Sequence, residues 1–153
     1  MTVTVRDVVD GDVDVFFEHQ RDPVANEMAA FPARDRDAHL AHWAKIRRDP
    51  SNITKTILYD GNVAGNIASF VIEGERMIGY WIGPEWWGMG IASAALALLV
   101  EEVTERPLGA HVAASNVGSI RVLEKCGFVE VGRGRSSIAP GEPEVDEIIY
   151  RLD

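Results

Sequence analysis

The chain has little that would tie it to disulfide, nucleic-acid, membrane or metal chemistry. Its one cysteine, Cys126, cannot close an internal disulfide. Lys and Arg number 15 against 24 Asp and Glu, a formal net charge of −9, and such a surface repels the phosphate backbone that dominates nucleic-acid affinity. No apolar run approaches the ~20 residues needed to span a bilayer. The longest, Ile91 to Val103, is interrupted by Ser93, Glu101 and Glu102 and reads as a buried helix. The opening Met1-Thr2-Val3-Thr4-Val5-Arg6-Asp7 has no basic region followed by an apolar stretch, so the chain reads as cytoplasmic. No His and Cys residues share metal-ligand spacing, and no metal is expected.

What is present suits an ordinary soluble globule: 46% hydrophobic and 25% charged residues in 153 positions, the size of one domain, spanning 1–153. The negative field mildly favours cationic partners such as amines. Thr2 to Val9 alternates β-branched and polar residues and reads as a strand ending in a turn at Asp10-Gly11. A helical stretch follows from Asp12, with Val13, Phe16 and Phe17 at helical spacing, until Asp22-Pro23 interrupts it. A clearer helix covers Arg36 to Arg48, with Leu40, Trp43, Ala44 and Arg47 on one predicted face. Ile53 to Tyr59 and Val63 to Ile72 flank Asp60-Gly61, the signature of a type I′ hairpin. Glu73-Gly74-Glu75 turns into a strand from Arg76 to Gly83. After the helix from Ile91 to Thr104 come a strand at Leu108 to Ala114 and a helix at Asn116 to Cys126, closed by Gly127. Val129 to Ser137, a turn at Ala139-Pro140-Gly141, and Val145 to Leu152 form a last hairpin. The expected fold is α/β (α+β): a mixed, mostly antiparallel sheet of about seven strands flanked by about four helices.

The segment Ile82-Gly83-Pro84-Glu85-Trp86-Trp87-Gly88-Met89-Gly90-Ile91-Ala92-Ser93 carries the most chemistry. A helix start offers unpaired backbone N–H groups and partial positive charge. Gly88 and Gly90 remove side chains that would keep a phosphate from the backbone, and Ala92 and Ser93 keep the first turn narrow. A glycine turn that merely reverses the chain is the other reading of this loop taken alone. No Gly-Lys-Ser/Thr continuation follows, which argues against a P-loop. The third glycine of a dinucleotide fold is missing too.

The stretch Ile78-Gly79-Tyr80-Trp81-Ile82-Gly83-Pro84-Glu85-Trp86-Trp87-Gly88-Met89-Gly90-Ile91-Ala92 resembles the central acetyl-CoA motif of GNAT acetyltransferases, especially the ribosomal-protein N-terminal acetyltransferase-like branch. Asn116-Val117-Gly118-Ser119-Ile120-Arg121-Val122-Leu123-Glu124-Lys125-Cys126-Gly127-Phe128 is similar to the family's second motif. The likeness covers nearly the whole chain. Two departures stand out: Glu85 where the family often has Gln or Arg, and Leu123 where many members carry a tyrosine that protonates the leaving thiolate.

The resemblance implies an acetyl-CoA-dependent N-acetyltransferase. It would act by direct transfer in a ternary complex, on a peptide N-terminus or a small amine, with a homodimer as one family habit. It implies a strand pair splayed at the cofactor site. The pantetheine arm would pair with the Tyr80–Gly83 backbone, and an N–H near Ile82 would polarise the thioester. The diphosphate would lie on N–H groups of Trp87, Gly88, Met89, Gly90, Ile91, Ala92 and Ser93, with Asn116 a further contact. Ser119 matches a serine read in that branch as thiolate acid; a helix-capping or cofactor-contact role is its alternative. A base must take the amine's proton, since an alkyl amine with a pKa near ~10 is mostly protonated at pH 7. Glu27, Glu73 and Glu75 are candidates beside plain surface roles. His111 reads as a core histidine rather than a gap-facing one, and Cys126 as a small buried hydrophobe. Trp81, Trp86 and Trp87 either line the acceptor tunnel or pack. A non-catalytic acyl-CoA-binding domain is the alternative function.

Overall fold

The computed structural model describes residues 2–139 and 141–153. The elements run β1 (Val3–Asp7), α1 (Asp10–His19), α2 (Pro23–Ala29), α3 (Arg36–Arg48), β2 (Ile53–Tyr59), β3 (Asn62–Ile72) and β4 (Glu75–Ile82). A 3-10 turn (Pro84–Trp86) then leads to α4 (Ile91–Glu102), β5 (Leu108–Ala113), α5 (Val117–Lys125), β6 (Val129–Ser136) and β7 (Val145–Leu152). The seven strands form one sheet in the order β1-β2-β3-β4-β5-β7-β6. All neighbours are antiparallel except β4 and β5, which are parallel.

The β2–β3 turn places Asp60 at φ 49° and Gly61 at φ 85°. Two positive values match the type I′ geometry that Asp-Gly favours. Asp10-Gly11 does not make the expected turn. These residues begin α1, because the Asp12 carboxylate reaches back to accept the Val9 N–H at 3.0 Å and so satisfies an orphan donor of the first turn. The buried face of α3 also differs from the expected one. His39 and Trp43 are buried and Leu40 is 42% exposed, because α3 packs on α1 through Trp43 and Phe16, whose ring centroids lie 4.9 Å apart. The His39 ring reaches the Val13 carbonyl at 2.9 Å. The turn read at Ala139-Pro140-Gly141 includes Pro140, which lies outside the described residues.

Two apolar clusters hold the layers. On one sheet face, α4 buries Ile91, Ala95, Leu96 and Leu99 against Ile57, Ile67, Ile78, Leu108, Ala110, Val112 and Leu123. Each such leucine contributes roughly 2 kcal/mol by leaving water. A second cluster is built from Val8, Val13, Phe16 and Trp43. Among the described residues no helix is long and apolar enough to cross a membrane.

Candidate active site

The site begins where two strands part. β4 and β5 meet at a single register pair, Met77 with Gly109, although β4 continues to Ile82 and β5 to Ala113. On its other edge β5 is paired along its whole length with β7, from Leu108–Leu152 to Ala113–Glu147. β4 stays with β3 up to Ile82–Gly65. A wedge therefore opens between them. Gly65 fits this arrangement, since a Cβ there would run into the Trp81 carbonyl.

The Gly83 N–H donates to the Ala64 carbonyl at 2.9 Å, which sets the alternation of the antiparallel β3–β4 ladder. Tyr80 and Ile82 thereby fall at positions whose N–H and C=O point away from β3, into the wedge. The Ile82 carbonyl also accepts the Trp87 indole N–H at 3.0 Å. Gly83 itself is fully engaged: its carbonyl accepts the Trp86 N–H at 2.9 Å, and a Cβ there would come within 2.6 Å of the His19 ring. The Trp87 N–H is likewise engaged, by the Pro84 carbonyl at 3.2 Å. Of the expected cofactor-binding residues, Gly83 and Trp87 therefore have no free N–H.

The remaining donors are bare. Gly88 and Gly90 adopt φ 77° and 75°, and a Cβ on either would meet nothing within 4 Å. α4 starts at Gly90 with no side-chain cap and no acid in its first turn. Its first N–H groups, those of Ile91, Ala92 and Ser93, have no backbone acceptor among the described residues. Gly88, Met89 and Gly90 are exposed. Such a start holds concentrated partial positive charge open to an anion. Glu85 does not spoil it, because its carboxylate turns away and lies 3.4 Å from His19 Nε2. Burial pushes the His19 imidazole's pKa down, against the pull of Glu85, so it stays neutral at pH 7.

Across the wedge, Asn116 is the N-cap of α5, and its side chain accepts the Ser119 N–H at 3.3 Å. The Ser119 hydroxyl is thus not the cap. It lies 2.6 Å from the Tyr80 hydroxyl, which also reaches the Ser119 carbonyl at 3.3 Å. The Tyr80 backbone was expected at the site but its side chain was missed from sequence, since contact between a strand and a helix 39 positions later has no local signal. Leu123 is buried at 1% exposure in the core.

His111 is not a core residue. Ala110 and Val112 on either side of it are buried in the main cluster, so His111 points to the opposite face. There its side chain is 43% exposed and its Nδ1 lies 3.5 Å from the carboxylate of buried Glu147. On the same side the Ser115 hydroxyl donates to the Met28 carbonyl at 2.9 Å, tying α2 to the end of β5. Trp81 donates to the His19 carbonyl at 3.2 Å and packs on Phe31, while Trp86 packs on Tyr59. Glu27, Glu73 and Glu75 are exposed. Cys126 is half-buried, with Sγ 3.5 Å from the Ser93 carbonyl. Burial pushes its thiol up, the opposite of an activated nucleophile. Among the described residues no group of three or more His, Cys, Asp or Glu could hold a metal ion.

A family model described as an acetyltransferase (GNAT) domain matches residues 2–129. The Bacillus subtilis (strain 168) protein named "Putative ribosomal N-acetyltransferase YdaF" is 30% identical over 124 residues, covering 76% of this chain and 68% of that protein. A crystal structure described as a "Probable acetyltransferase" superposes with TM-score 0.77 at 26% identity, over 98% of this chain and 92% of that one. The phosphinothricin acetyltransferase of Sinorhizobium meliloti, solved with acetyl-CoA, shares the fold with TM-score 0.82 at 21% identity, over 99% and 88% of the two chains.

Proposed function

The chain belongs to the GNAT acetyltransferase family and is an acetyl-CoA-dependent N-acetyltransferase; from that premise we propose that its acceptor is the α-amine of a peptide or protein N-terminus, acetylated by direct transfer in a ternary complex. The observation that carries the reading is the wedge. Two strand residues, Tyr80 and Ile82, turn their backbone groups into it beside a helix start whose N–H groups are bare. An extended amide-bearing arm fits the first as an added strand, and a diphosphate fits the second. The N–H groups of Gly88 to Ser93 would hold the phosphates. Acetyl-CoA supplies an activated acetyl thioester at the wedge.

The two faces of the sheet divide the proton work. On the α2 side, His111 backed by Glu147 takes the amine's proton on Nε2, which makes no hydrogen bond among the described residues. In the wedge, a Tyr80 or Ile82 N–H polarises the thioester oxygen, where negative charge develops. On the α5 side, the Ser119 hydroxyl donates to the departing sulfur. A C–N bond forms and the C–S bond breaks, its electron pair staying on sulfur. The amine gives up one proton through His111 to solvent, and sulfur takes one from Ser119, which solvent replaces. An α-amine suits this base better than an alkyl amine: at pH 7 roughly a tenth of an α-amine is neutral, against less than about a thousandth of an alkyl amine. The relative named for a ribosomal acceptor adds support for a peptide N-terminus.

Thiol release from acetyl-CoA, measured over a panel of short peptides and small amines, tests this reading. Release is expected with free N-termini and is lost when they are blocked. Turnover confined to small alkyl amines would overturn the acceptor. Tight CoA binding with no release from any amine would instead describe a binding domain.

A further inference from the structure

Tyr80 and Ser119 come from different elements and meet on the α5 side of the wedge, where the leaving group departs under the reading above, on which this inference rests. Their hydroxyls lie 2.6 Å apart, within the range of a strong O–H···O bond. The phenol is anchored: Tyr80 is half-buried, its ring packs against the main core, and its strand is held by β3 at Ile67. The serine is anchored too, by its N–H on the Asn116 cap at 3.3 Å. Two fixed hydroxyls in contact share one hydrogen bond, and whichever accepts has its own proton free to point elsewhere. We infer that Tyr80 is a positioning residue for the leaving group: its phenol donates to Ser119 Oγ and so turns the serine's own proton toward the departing sulfur.

Burial holds the Tyr80 phenol up at about 12, with the Ser119 hydrogen bond pulling weakly the other way. It is therefore a protonated donor at neutral pH. Tyr80 keeps its proton and acts through Ser119, strengthening that hydroxyl as a donor by polarising it.

The test uses Tyr80→Phe, which keeps the packed ring, together with Ser119→Ala and the double variant, each checked for folding by circular dichroism. Tyr80→Phe is expected to lower kcat about tenfold while KM and the calorimetric Kd for acetyl-CoA stay within about twofold. The double variant should be no slower than Ser119→Ala alone, since Tyr80 then has nothing to hold. A readout independent of turnover is the ultraviolet titration of the phenols in protein free of CoA. Ser119→Ala should move one tyrosine to still higher pH, because the serine no longer donates to the phenolate, and Tyr80→Phe should remove that tyrosine from the curve. Losses that multiply in the double variant, or an unshifted titration, would overturn the inference. If Ser119→Ala slows turnover and Tyr80→Phe does not, the inference falls and the role of Ser119 stands. If Ser119→Ala turns over at the full rate, the role of Ser119 falls and takes the inference with it.

Discussion

Helices α4 and α5 both begin beside the same wedge, yet their first turns are built in opposite ways. α5 satisfies its own start: the Asn116 side chain accepts the Ser119 N–H. α4 leaves its start unsatisfied, with Gly90 in a left-handed conformation, no side-chain cap and no acid in the first turn. The starts of α2 and α3 resemble α5. Asp22 caps α2 through the Ala25 N–H at 2.8 Å, and Asp35 caps α3 through the Ala38 N–H at 2.8 Å. A bare start forgoes about 1 kcal/mol of local stability. The lesson is that a helix start whose own donors are left open offers them to charge from outside, and a capped one fixes geometry.

The strongest way to break this contrast is Gly90→Asp. The new carboxylate would stand in open space against the α4 donors, where a Cβ meets nothing within 4 Å. CoA affinity by calorimetry should fall on the order of a thousandfold, from charge repulsion at close range. The positive φ of 75° adds strain of about 1 kcal/mol, a few degrees in Tm. Unchanged affinity would remove α4 from the phosphate site. Next in size, His111→Gln should lower kcat by about a hundredfold at pH 7 with CoA affinity intact, and a rate equal to that of the parent would place the base elsewhere.

The start of α1 sharpens the contrast through stability. There Asp12 accepts from Arg6 at 2.6 Å, from Thr56 at 2.7 Å and from the Val9 N–H. Burial pushes its carboxyl up, but these hydrogen bonds outweigh it and hold it at about 2. The folded value lies below the unfolded one, so the stability it contributes is fully present above about pH 4 and is lost as pH falls toward 2. Asp12→Asn should cost about 2 kcal/mol at neutral pH in urea unfolding, with the gap to the parent closing in acid. The smallest effect belongs to Asn116→Ala. Loss of its cap should cost about 1 kcal/mol, while CoA affinity falls by less than about tenfold; a loss as large as that of Gly90→Asp would make the two helix starts equivalent.

Strands and the β2–β3 hairpin turn were legible because their signals are local, whereas Asp10-Gly11 was misread as a turn. Asp60-Gly61 and the alternation around it announce a hairpin whatever it packs on. The α3 face was misread because Leu40 and His39 both suit a helix, and only the position of α1 decides which is covered. His111 was misread for a similar reason: alternation with Val112 gives two faces but not their occupants. In the phosphate loop the glycines were readable, whereas the engagement of Gly83 and Trp87 by Ala64 and Pro84 was not.

By itself the sequence determined the order of elements, the bare glycine-flanked start of α4 and the family, because backbone conformation and hydrophobic period are properties of neighbouring residues. Tertiary structure alone decided that β4 and β5 part after one pair, that Tyr80 meets Ser119, and that His111 stands with Glu147 on the opposite face. Those contacts join residues far apart in the chain, and the sheet order that brings them together is set by packing of the whole domain rather than by any one segment.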